Sequence, residues 1–438
     1  MFLFYAQINL FEKQTKKMIF SGYFYPCGPL IKRPICAKTI DKLRLFLYNN
    51  ENTKTTKGTV MSNIIIKEVT TQRDRRRFVD FPNQLYKNEP NYVPGFFDDD
   101  VDDWNPAKNP AFEYCEARCF LALEDNKIVG RIGAILSHRA NEKWGHNRMR
   151  FSQVDFVDDP RVSKALFDTV EAWAREKGCE QVHGPLGFCD LDREGMLIEG
   201  FDRQSMFITY YNAPYYKEHL ERLGYGKSTD WIEFRINVPT PDSHEGQMIA
   251  RVAARNERQG KYHVANLKHR RDYKPYVKQV FQLVNEAYAP LYGTVDLSAK
   301  QIEKYANKFI PLVNPDYACF VVDENNEMVG FGVTVPSLSN ALTKCRGKLL
   351  PWGWIPVLHA MNHNDTVDLL LIAIKPELQG SLLIATIFNH FVNSTAKNHI
   401  IYAETGPQLE TNNKIQAQWK FFEKEQHKRR RCFIKDLT

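Results

Sequence analysis

The sequence predicts an α/β fold with a mixed α+β sheet, built as two similar domains in tandem, each a mostly antiparallel sheet flanked by helices. The first observation is a repeat. Residues 120–135 read FLALEDNKIVGRIGAI and residues 320–335 read FVVDENNEMVGFGVTV, in each case two apolar strands around a polar turn. The second is that the same order of elements follows both hairpins. The third is the length of 438 residues, which suits two domains of ordinary size. A repeat on this scale indicates two copies of one supersecondary unit.

Each hairpin is followed by an apolar strand that ends near a proline. A segment with apolar residues at three- and four-residue steps comes next, as in an amphipathic helix. A short strand, an Asn-led helix and a closing strand complete each unit. The predicted strand, helix, short strand and Asn-led helix are residues 151–157, 162–176, 181–184 and 212–223 in the first copy, and 367–374, 382–396, 400–403 and 412–422 in the second. We therefore predict domains over residues 61–238 and 244–438.

The positive charge of the chain belongs to its first sixty residues. Residues 1–60 contain ten Lys and Arg against three Asp and Glu, which accounts for the whole net charge of +7. The remaining chain is neutral, and a neutral body argues against a nucleic-acid partner. Residues 1–60 show no stable period, and Met61 opens a clean strand. We predict that they are a non-native or disordered N-terminal extension; a basic arm or a targeting segment is the alternative.

Cysteine usage and hydropathy indicate a cytoplasmic protein. The nine cysteines are scattered without a Cys-x-x-Cys pair, which is typical of reduced thiols. No apolar run reaches the roughly eighteen residues of a membrane span. The apolar stretch at residues 349–361 is shorter, and it suits either the lining of a pocket or contact with a membrane surface. The inner face of the membrane is therefore an alternative location. No Walker loop, Gly-x-Ser-x-Gly elbow or zinc spacing is present, and we predict no metal.

The turn from strand to helix in each copy is the expected place for a phosphate, because free N–H groups at a helix start bind anions. In the second copy this turn resembles that of the GNAT superfamily of acyl-CoA-dependent acyltransferases. Gln379 matches the first position of the superfamily pattern, whereas Leu382 and Ile384 stand at its small positions, and Gly380 alone keeps some of the loop open. The resemblance implies acyl-CoA as co-substrate. The residues it places around acyl-CoA are Ile374, Gln379, Gly380, Ser381 and Asn412. The first-copy turn has no glycine and carries acids, which repel a pyrophosphate.

Two further resemblances concern the first half, and the second of them is narrower. Asn212, Tyr216 and the run Leu223, Gly224 and Tyr225 are similar to a second GNAT motif. The phrases GPLGF at 184–188 and YNAPYY at 211–216 are similar to a bacterial branch that includes bacterial ceramide synthases. That branch implies N-acylation of a long-chain sphingoid base from a fatty acyl-CoA.

Acyl transfer to an amine needs a base for the amine proton, a donor for the oxyanion and an acid for the thiolate. Glu404, at the end of a second-copy strand, is the candidate base, and Asp368 in the preceding strand is a further candidate. A salt-bridged or capping carboxylate is the alternative for Glu404. Tyr216 is the candidate acid by its motif position, with a tyrosine packed on the sheet as the alternative. No activated Ser or Cys is evident, so attack should be direct.

Several residues are candidates for binding the amine substrate. The loop that carries Asp190, Asp192 and Glu194 begins like a calcium loop, but Phe201 stands where that motif requires a bidentate Glu. An acidic loop that holds an ammonium group is the preferred interpretation, and a solvated turn is the other. Trp352 and Trp354 suit the wall of an apolar groove or ordinary packing. The residues assigned to substrate binding are Asp190, Asp192, Glu194, Asn212, Trp352 and Trp354.

The sequence therefore predicts an N-acyltransferase that moves an acyl group from acyl-CoA to a small-molecule or lipid amine, with a sphingoid base as the sharpest hypothesis. Peripheral membrane contact is an expected feature. One alternative is an aminoacyl-tRNA-dependent transferase of the peptidoglycan-bridge type, and another is a non-catalytic protein that binds acyl-CoA or lipid.

Overall fold

A mixed sheet of fourteen strands runs through the computed structural model of the chain, which describes residues 63–437. Helices flank the sheet, so the predicted α/β class is confirmed. The predicted extension at residues 1–60 lies outside the described residues. The division into domains over 61–238 and 244–438 stays a prediction, because strands of both halves share this sheet.

Both halves of the described chain contain strands and helices. In the first half they are β1 (Ile65–Glu68), α1 (Gln72–Leu85), α2 (Phe97–Asp103), β2 (Cys115–Glu124), β3 (Lys127–Ser137), α3 (His138–Trp144), β4 (Arg148–Phe156), α4 (Pro160–Glu176), β5 (Gln181–Gly184), β6 (Met196–Glu199), α5 (Tyr216–Arg222) and β7 (Gly226–Asn237). In the second half they are α6 (His244–Arg258), β8 (Tyr262–Val264), α7 (Val277–Tyr288), α8 (Ala299–Phe309), β9 (Ala318–Asp323), β10 (Met328–Pro336), α9 (Ser339–Cys345), α10 (Trp354–Asn362), β11 (Thr366–Ile374), α11 (Leu383–Lys397), β12 (Tyr402–Thr405), β13 (Gln408–Leu409), α12 (Asn413–Gln418) and β14 (Lys424–Asp436).

Both predicted hairpins form, and their glycines have a packing role. The β2–β3 turn places Asp125 and Asn126 at φ of 48° and 64°, the left-handed pair of a type I′ turn. A Cβ on Gly130 of β3 would lie 2.8 Å from a side-chain atom of Leu166 in α4. A Cβ on Gly332 of β10 would likewise lie 2.7 Å from Phe391 in α11. In both halves a glycine therefore lets the long helix approach the sheet closely.

The two halves exchange their closing strands. The sheet order is β1-β2-β3-β4-β5-β14-β7-β12-β11-β10-β9-β8. The last strand of the second half, β14, thus lies between two strands of the first, and β7 of the first half separates β14 from β12. The strand pairs β14–β5, β14–β7 and β7–β12 are all antiparallel. Each half consequently depends on the other to complete its sheet.

Charged side chains are buried at this exchange. Arg430 of β14 forms an ion pair with Glu233 of β7, and both side chains are fully buried. Lys428 lies on the same strand, with its Nζ 3.8 Å from Glu233 and 3.4 Å from Glu404. Burial and the neighbouring cations lower the pKa of His427 to about 2, so this histidine is neutral. The basic run at 427–431 therefore belongs to a central strand and carries a compensated charge network.

Candidate functional site

The sheet opens between β11 and β12. The two strands run parallel and pair over four residues, ending at Leu369 opposite Thr405. β11 continues to Ile374, whereas the chain leaves β12 at Gly406 and turns into β13, which pairs with β7. Residues 370–374 therefore lose their neighbour on this side, and a wedge-shaped gap separates the strands.

A β-bulge lies where the wedge begins. Thr334 of β10 is opposite Leu369 and Val333 is opposite Leu371, so Leu370 has no opposite residue on β10. On its other side, the pairing with β12 has already ended. Because a bulged residue is left out of the ladder, its backbone groups remain for other partners. This backbone is the natural place for an N–H that stabilises an oxyanion.

A cavity of about 1150 Å³ includes the wedge. Its volume exceeds the roughly 300–1,000 Å³ of ordinary small-molecule sites. Both halves contribute to its walls, which are mainly apolar: Trp231 and Ile208 come from the first half, and Leu371, Phe388 and Trp419 from the second. The cavity therefore suits a long apolar ligand better than a small polar one.

One end of the cavity has the features of an anion site. Gln379, Gly380 and Ser381 line it just before α11. Gly380 has φ of +82°, and a Cβ there would meet open space. The Ser381 hydroxyl accepts a hydrogen bond from the Leu383 N–H at 3.3 Å, but no side chain of the described residues caps the next amides of the helix. These N–H groups and the positive helix end favour a phosphate.

Two residues beside this turn extend the site. Asn412 lines the cavity and caps α12, because its side chain accepts the Ile415 N–H at 3.3 Å. Lys414 also lines the cavity, with its Nζ 3.4 Å from Oε1 of Gln379. An exposed ammonium group thus lies close to the turn, where it would attract an anionic ligand.

The corresponding turn of the first half is already filled. The Asp159 carboxylate accepts the N–H of Arg161 at 2.8 Å at the start of α4, and it also binds the Arg161 guanidinium. These hydrogen bonds lower the pKa of Asp159. The carboxylate occupies the position that an anionic ligand would take, so the first-half turn is self-capped.

The first half has a corresponding wedge, because β4 pairs with β5 only over residues 148–150 and continues to Phe156. Tyr216 fills this wedge. Its ring stacks on Phe156 with centroids 4.2 Å apart, and its hydroxyl accepts the Phe156 N–H at 2.8 Å. The same hydroxyl is 2.7 Å from that of Tyr86. Burial raises the pKa of Tyr216 well above its ordinary value. This tyrosine is not on the cavity wall, and its contacts are those of a packed residue.

Carboxyl groups line the cavity away from the phosphate turn. Asp190, Asp192 and Glu194 are all on its wall, and their role in substrate binding stays a prediction. Both carboxyl oxygens of Asp192 already have partners within the protein, because they accept hydrogen bonds from the Phe188 N–H and the Tyr305 hydroxyl, both at 2.8 Å. Burial raises the pKa of Asp190 and of Asp192.

Glu194 differs from its neighbours because it lacks a partner. Its Oε1 atom is buried without a hydrogen bond to any described residue, and none of the described ion pairs includes this side chain. Burial raises its pKa well above the ordinary value, and the charges of Asp190 and Asp192 add to that effect. Arg150 acts in the opposite direction, but its guanidinium is bonded to the carbonyls of Gly187 and Gly293. Arg150 therefore offsets part of the effect from a distance, but Glu194 has no direct ion-pair partner among the described residues.

Asp368 and Glu404 are adjacent but face away from the cavity. They are opposite one another in the β11–β12 register. Val367 and Leu369 line the cavity, and successive side chains of a strand point to opposite faces, so Asp368 lies on the other face. Glu404 lies 3.4 Å from the Lys428 ammonium. The structure thus does not bring these two candidates to the cavity wall, and their catalytic roles stay predictions.

Asp368 is a buried carboxyl group without compensation. Neither of its carboxyl oxygens has a hydrogen-bond partner among the described residues. Burial, followed by repulsion from Glu404, raises its pKa to about 8, with a partly opposing effect from Ser337 and Lys428. The group is therefore mostly protonated at neutral pH.

We expect Asp368→Asn to stabilise the protein in a pH-dependent manner. A carboxyl whose folded pKa lies above its unfolded value favours folding at low pH, and this contribution is lost as the pH rises from about 4 to about 8. The variant lacks that loss, so its free energy of unfolding should exceed the wild-type value by more than about 1 kcal/mol at pH 8 and match it near pH 4. Urea titrations across this range measure the difference. Asp365→Asn, at an exposed position, is the control; a constant offset for Asp368→Asn at every pH would contradict the assignment.

Three residues assigned to substrate binding lie outside the cavity wall. Trp352 is 70% exposed. The Trp354 indole N–H donates to the Pro351 carbonyl at 3.0 Å. Asn212 is buried and accepts the Leu197 N–H at 2.9 Å, which joins it to β6 instead of capping α5. Their contacts are structural, and binding roles for them stay predictions.

The cavity also contains residues that the sequence reasoning missed. The Tyr288 hydroxyl donates to the Ile372 carbonyl at 3.1 Å inside the wedge, and burial raises its pKa to about 12. Lys414 and the bulge at Leu370 were missed as well. Tyr288 comes from a helix before the repeated hairpin, so the motif comparison did not reach it. A bulge has no residue signature within the apolar run at residues 369–374.

Other features of the described residues bear on the remaining expectations. All seven cysteines between residues 63 and 437 are free thiols. Within the same residues, no group of three or more His, Cys, Asp or Glu is arranged to hold a metal ion. No helix in this part of the chain has both the length and the apolar character of a membrane span.

Two curated proteins are similar to this chain along most of its length. Protein YghO of Escherichia coli (strain K12) is 24% identical over 379 residues, which cover 85% of this chain and 95% of that protein. A bacterial ceramide synthase of Caulobacter vibrioides is 25% identical over 318 residues, which cover 72% of this chain and 81% of the synthase. No protein-family model matches the chain.

Solved structures show the same fold. A tandem GNAT protein from the clavulanic acid biosynthesis pathway superposes with a TM-score of 0.50 at 11% identity, covering 86% of this chain and 99% of its own. The GCN5-related glucosamine N-acetyltransferase region of a fungal multi-domain β-N-acetylglucosaminidase also has a TM-score of 0.50, at 10% identity, covering 86% of this chain and 38% of that one. The resemblance predicted from the sequence is confirmed at the level of the fold.

Proposed function

We propose that this chain, whose fold is that of the tandem GNAT proteins, transfers an acyl group from acyl-CoA to the amino group of a long-chain amine. The observation that carries the proposal is the cavity, because its wall includes both the start of α11 in the second half, where side chains leave amides free, and the unpartnered carboxyl group of Glu194 in the first half. The fold neighbours and the ceramide synthase relative support acyl transfer in general.

The donor is assigned to the second half. There the amides of α11 and the Lys414 ammonium suit the pyrophosphate of CoA, and the wedge beside β11 suits an extended pantetheine arm. The first half has neither feature, since Asp159 caps its helix and Tyr216 seals its wedge. We therefore infer one donor site, with the first half acting as the acceptor-binding half.

The acceptor is assigned to the acidic side of the cavity. An ammonium group would supply the direct ion-pair partner that Glu194 lacks, with Asp190 on the same wall. A cationic amine beside Glu194 favours its ionised form, and a carboxylate of raised pKa is a stronger base, so the ionised Glu194 takes a proton from the bound ammonium. The neutral nitrogen then attacks the thioester carbonyl carbon, and the C–N bond forms. The C–S bond breaks, the nitrogen gives up its second proton to the departing sulfur, and CoA leaves as the thiol. Backbone N–H groups at the Leu370 bulge stabilise the oxyanion.

The finer proposal is that the amine is a sphingoid base. The largely apolar walls and the volume of about 1150 Å³ suit two long chains better than an acetyl group and a small amine. The ceramide synthase of Caulobacter vibrioides is consistent with this class. The two alternatives, an aminoacyl-tRNA donor and a non-catalytic binding role, have no specific feature of the cavity in their favour.

The test is a thiol-release assay with matched donors and acceptors. We expect CoA release from palmitoyl-CoA when sphinganine is added, with the amide identified by mass spectrometry, and little release with acetyl-CoA or with ethanolamine as acceptor. Binding of palmitoyl-CoA without release for any amine would favour the non-catalytic alternative. Release with ethanolamine as fast as with sphinganine would reject the long-chain acceptor but retain acyl transfer.

A variant of the phosphate turn separates donor binding from folding. Ser381→Asp copies the carboxylate cap of the first half, so it should raise the KM for acyl-CoA about tenfold by repelling phosphate, without lowering the melting temperature. Ser381→Asn caps the helix without charge and is the matched control. Equal KM values for the two variants would place the CoA phosphates elsewhere.

A further inference from the structure

Exposed apolar side chains are concentrated in one short segment of the chain. Large hydrophobic residues that are clearly exposed are few among residues 63–437, and three of them, Leu350, Trp352 and Ile355, fall within six positions. Their exposed fractions are 63%, 70% and 48%. We call these three residues the 350–355 patch. It lies before and at the start of α10, where the buried Val357 anchors the helix.

Basic residues precede the patch in the chain, and acids are missing from the same stretch. Residues 337–364 contain no Asp or Glu but include Lys344, Arg346 and Lys348. Lys344 and Arg346 are exposed, and neither takes part in an ion pair of the described residues. Lys348 is 2.7 Å from Asp80, so its charge is already compensated. The patch thus follows two exposed cations that form no ion pair among the described residues, and its loop packs against their segment, because a Cβ on Gly353 would lie 2.8 Å from Cβ of Cys345.

We propose that the 350–355 patch docks this protein on the surface of an anionic phospholipid bilayer. A tryptophan with adjacent aliphatic side chains is suited to the interface between head groups and acyl chains. Neighbouring cations add attraction to anionic head groups, worth about fivefold in binding per residue. Buried apolar area and charge together give the two signals that stable peripheral binding requires. The inference goes beyond acyl transfer, because it does not depend on what the cavity binds.

The test is co-sedimentation of the full chain with vesicles of phosphatidylcholine, with and without phosphatidylglycerol. We expect binding to the vesicles that contain phosphatidylglycerol, weakening as salt is added. Replacing Trp352 and Ile355 together by Ser should lower the partition coefficient at least about tenfold. Lys344→Glu with Arg346→Glu should have a similar effect on anionic vesicles. Quenching of fluorescence by brominated lipid should fall in Trp352→Phe.

Matched controls decide whether the patch itself is responsible. Ile401→Ser with Phe421→Ser removes two other exposed apolar side chains, which are 55% and 60% exposed, and should leave vesicle binding unchanged. Lys274→Glu with Lys278→Glu reverses two exposed charges elsewhere. The proposal is overturned if the wild type does not bind, or if the control pairs lose as much binding as the patch variants. It is also overturned if the patch variants convert a dimer into a monomer without a change in vesicle binding, since the patch would then contact a second copy.

Discussion

Glu194→Gln should lower kcat/KM for amine acylation by about 10²- to 10⁴-fold, the range expected for removal of a general base. The carboxyl lies on the cavity wall with a buried oxygen that has no partner, and its pKa is raised. Glutamine keeps the shape but cannot take the proton. Because the pKa of Glu194 is raised in the folded state, this carboxyl favours folding less as the pH rises. Glu194→Gln should therefore be at least as stable as the wild type at pH 7. Steady-state kinetics and thermal melts measure the two effects.

Two further carboxylates make this result specific. Glu286 also lines the cavity but is exposed and accepts a hydrogen bond from Gln282 at 3.2 Å. Glu286→Gln should therefore leave kcat/KM within about twofold. Glu404→Gln tests the base predicted from the sequence, which lies on the opposite side of the strand. A larger loss of kcat/KM for Glu404→Gln than for Glu194→Gln, with folding intact, would identify Glu404 as the base and reject Glu194.

Arg430→Met should destabilise the protein by about 3–5 kcal/mol, because it leaves a buried carboxylate without its main partner. Arg430 and Glu233 are both fully buried, and the next cation, Lys428, is 3.8 Å from Glu233. The ion pair joins β14 to β7 at the strand exchange, so both halves depend on it. Urea denaturation provides the free energy of unfolding.

The double variant Arg430→Met with Glu233→Gln should recover much of this loss, since Lys428 then retains Glu404 at 3.4 Å and no charge is left alone. Arg429→Met is the matched control on the same strand. Its side chain is 24% exposed, and its buried partner Asp230 keeps the Arg431 guanidinium at 2.8 Å, so its removal should cost about 1 kcal/mol or less. Similar losses for Arg429→Met and Arg430→Met would show that burial does not govern this network.

Local patterns in the sequence determined the repeated elements. The two hairpins, the strands that follow and the long helices α4 and α11 were all predictable, because alternation of apolar residues and helical spacing are properties of adjacent residues. The candidate phosphate turn at Gln379–Ser381 and the acidic loop at Asp190–Glu194 were also predictable, since each is contiguous in the chain. The structure places both on one cavity.

Only the tertiary structure decided which residues meet. The exchange of β7 and β14 depends on pairing between strands about two hundred residues apart, and no local pattern encodes that register. The side of the sheet on which Asp368 and Glu404 lie also depends on the strand pairing. A strand presents alternate residues to opposite sides, and the bulge at Leu370 shifts this alternation. The sequence by itself thus established the repeated α/β units and their candidate motifs, whereas the open second wedge, the sealed first wedge and the unpartnered Glu194 arise from contacts between distant segments.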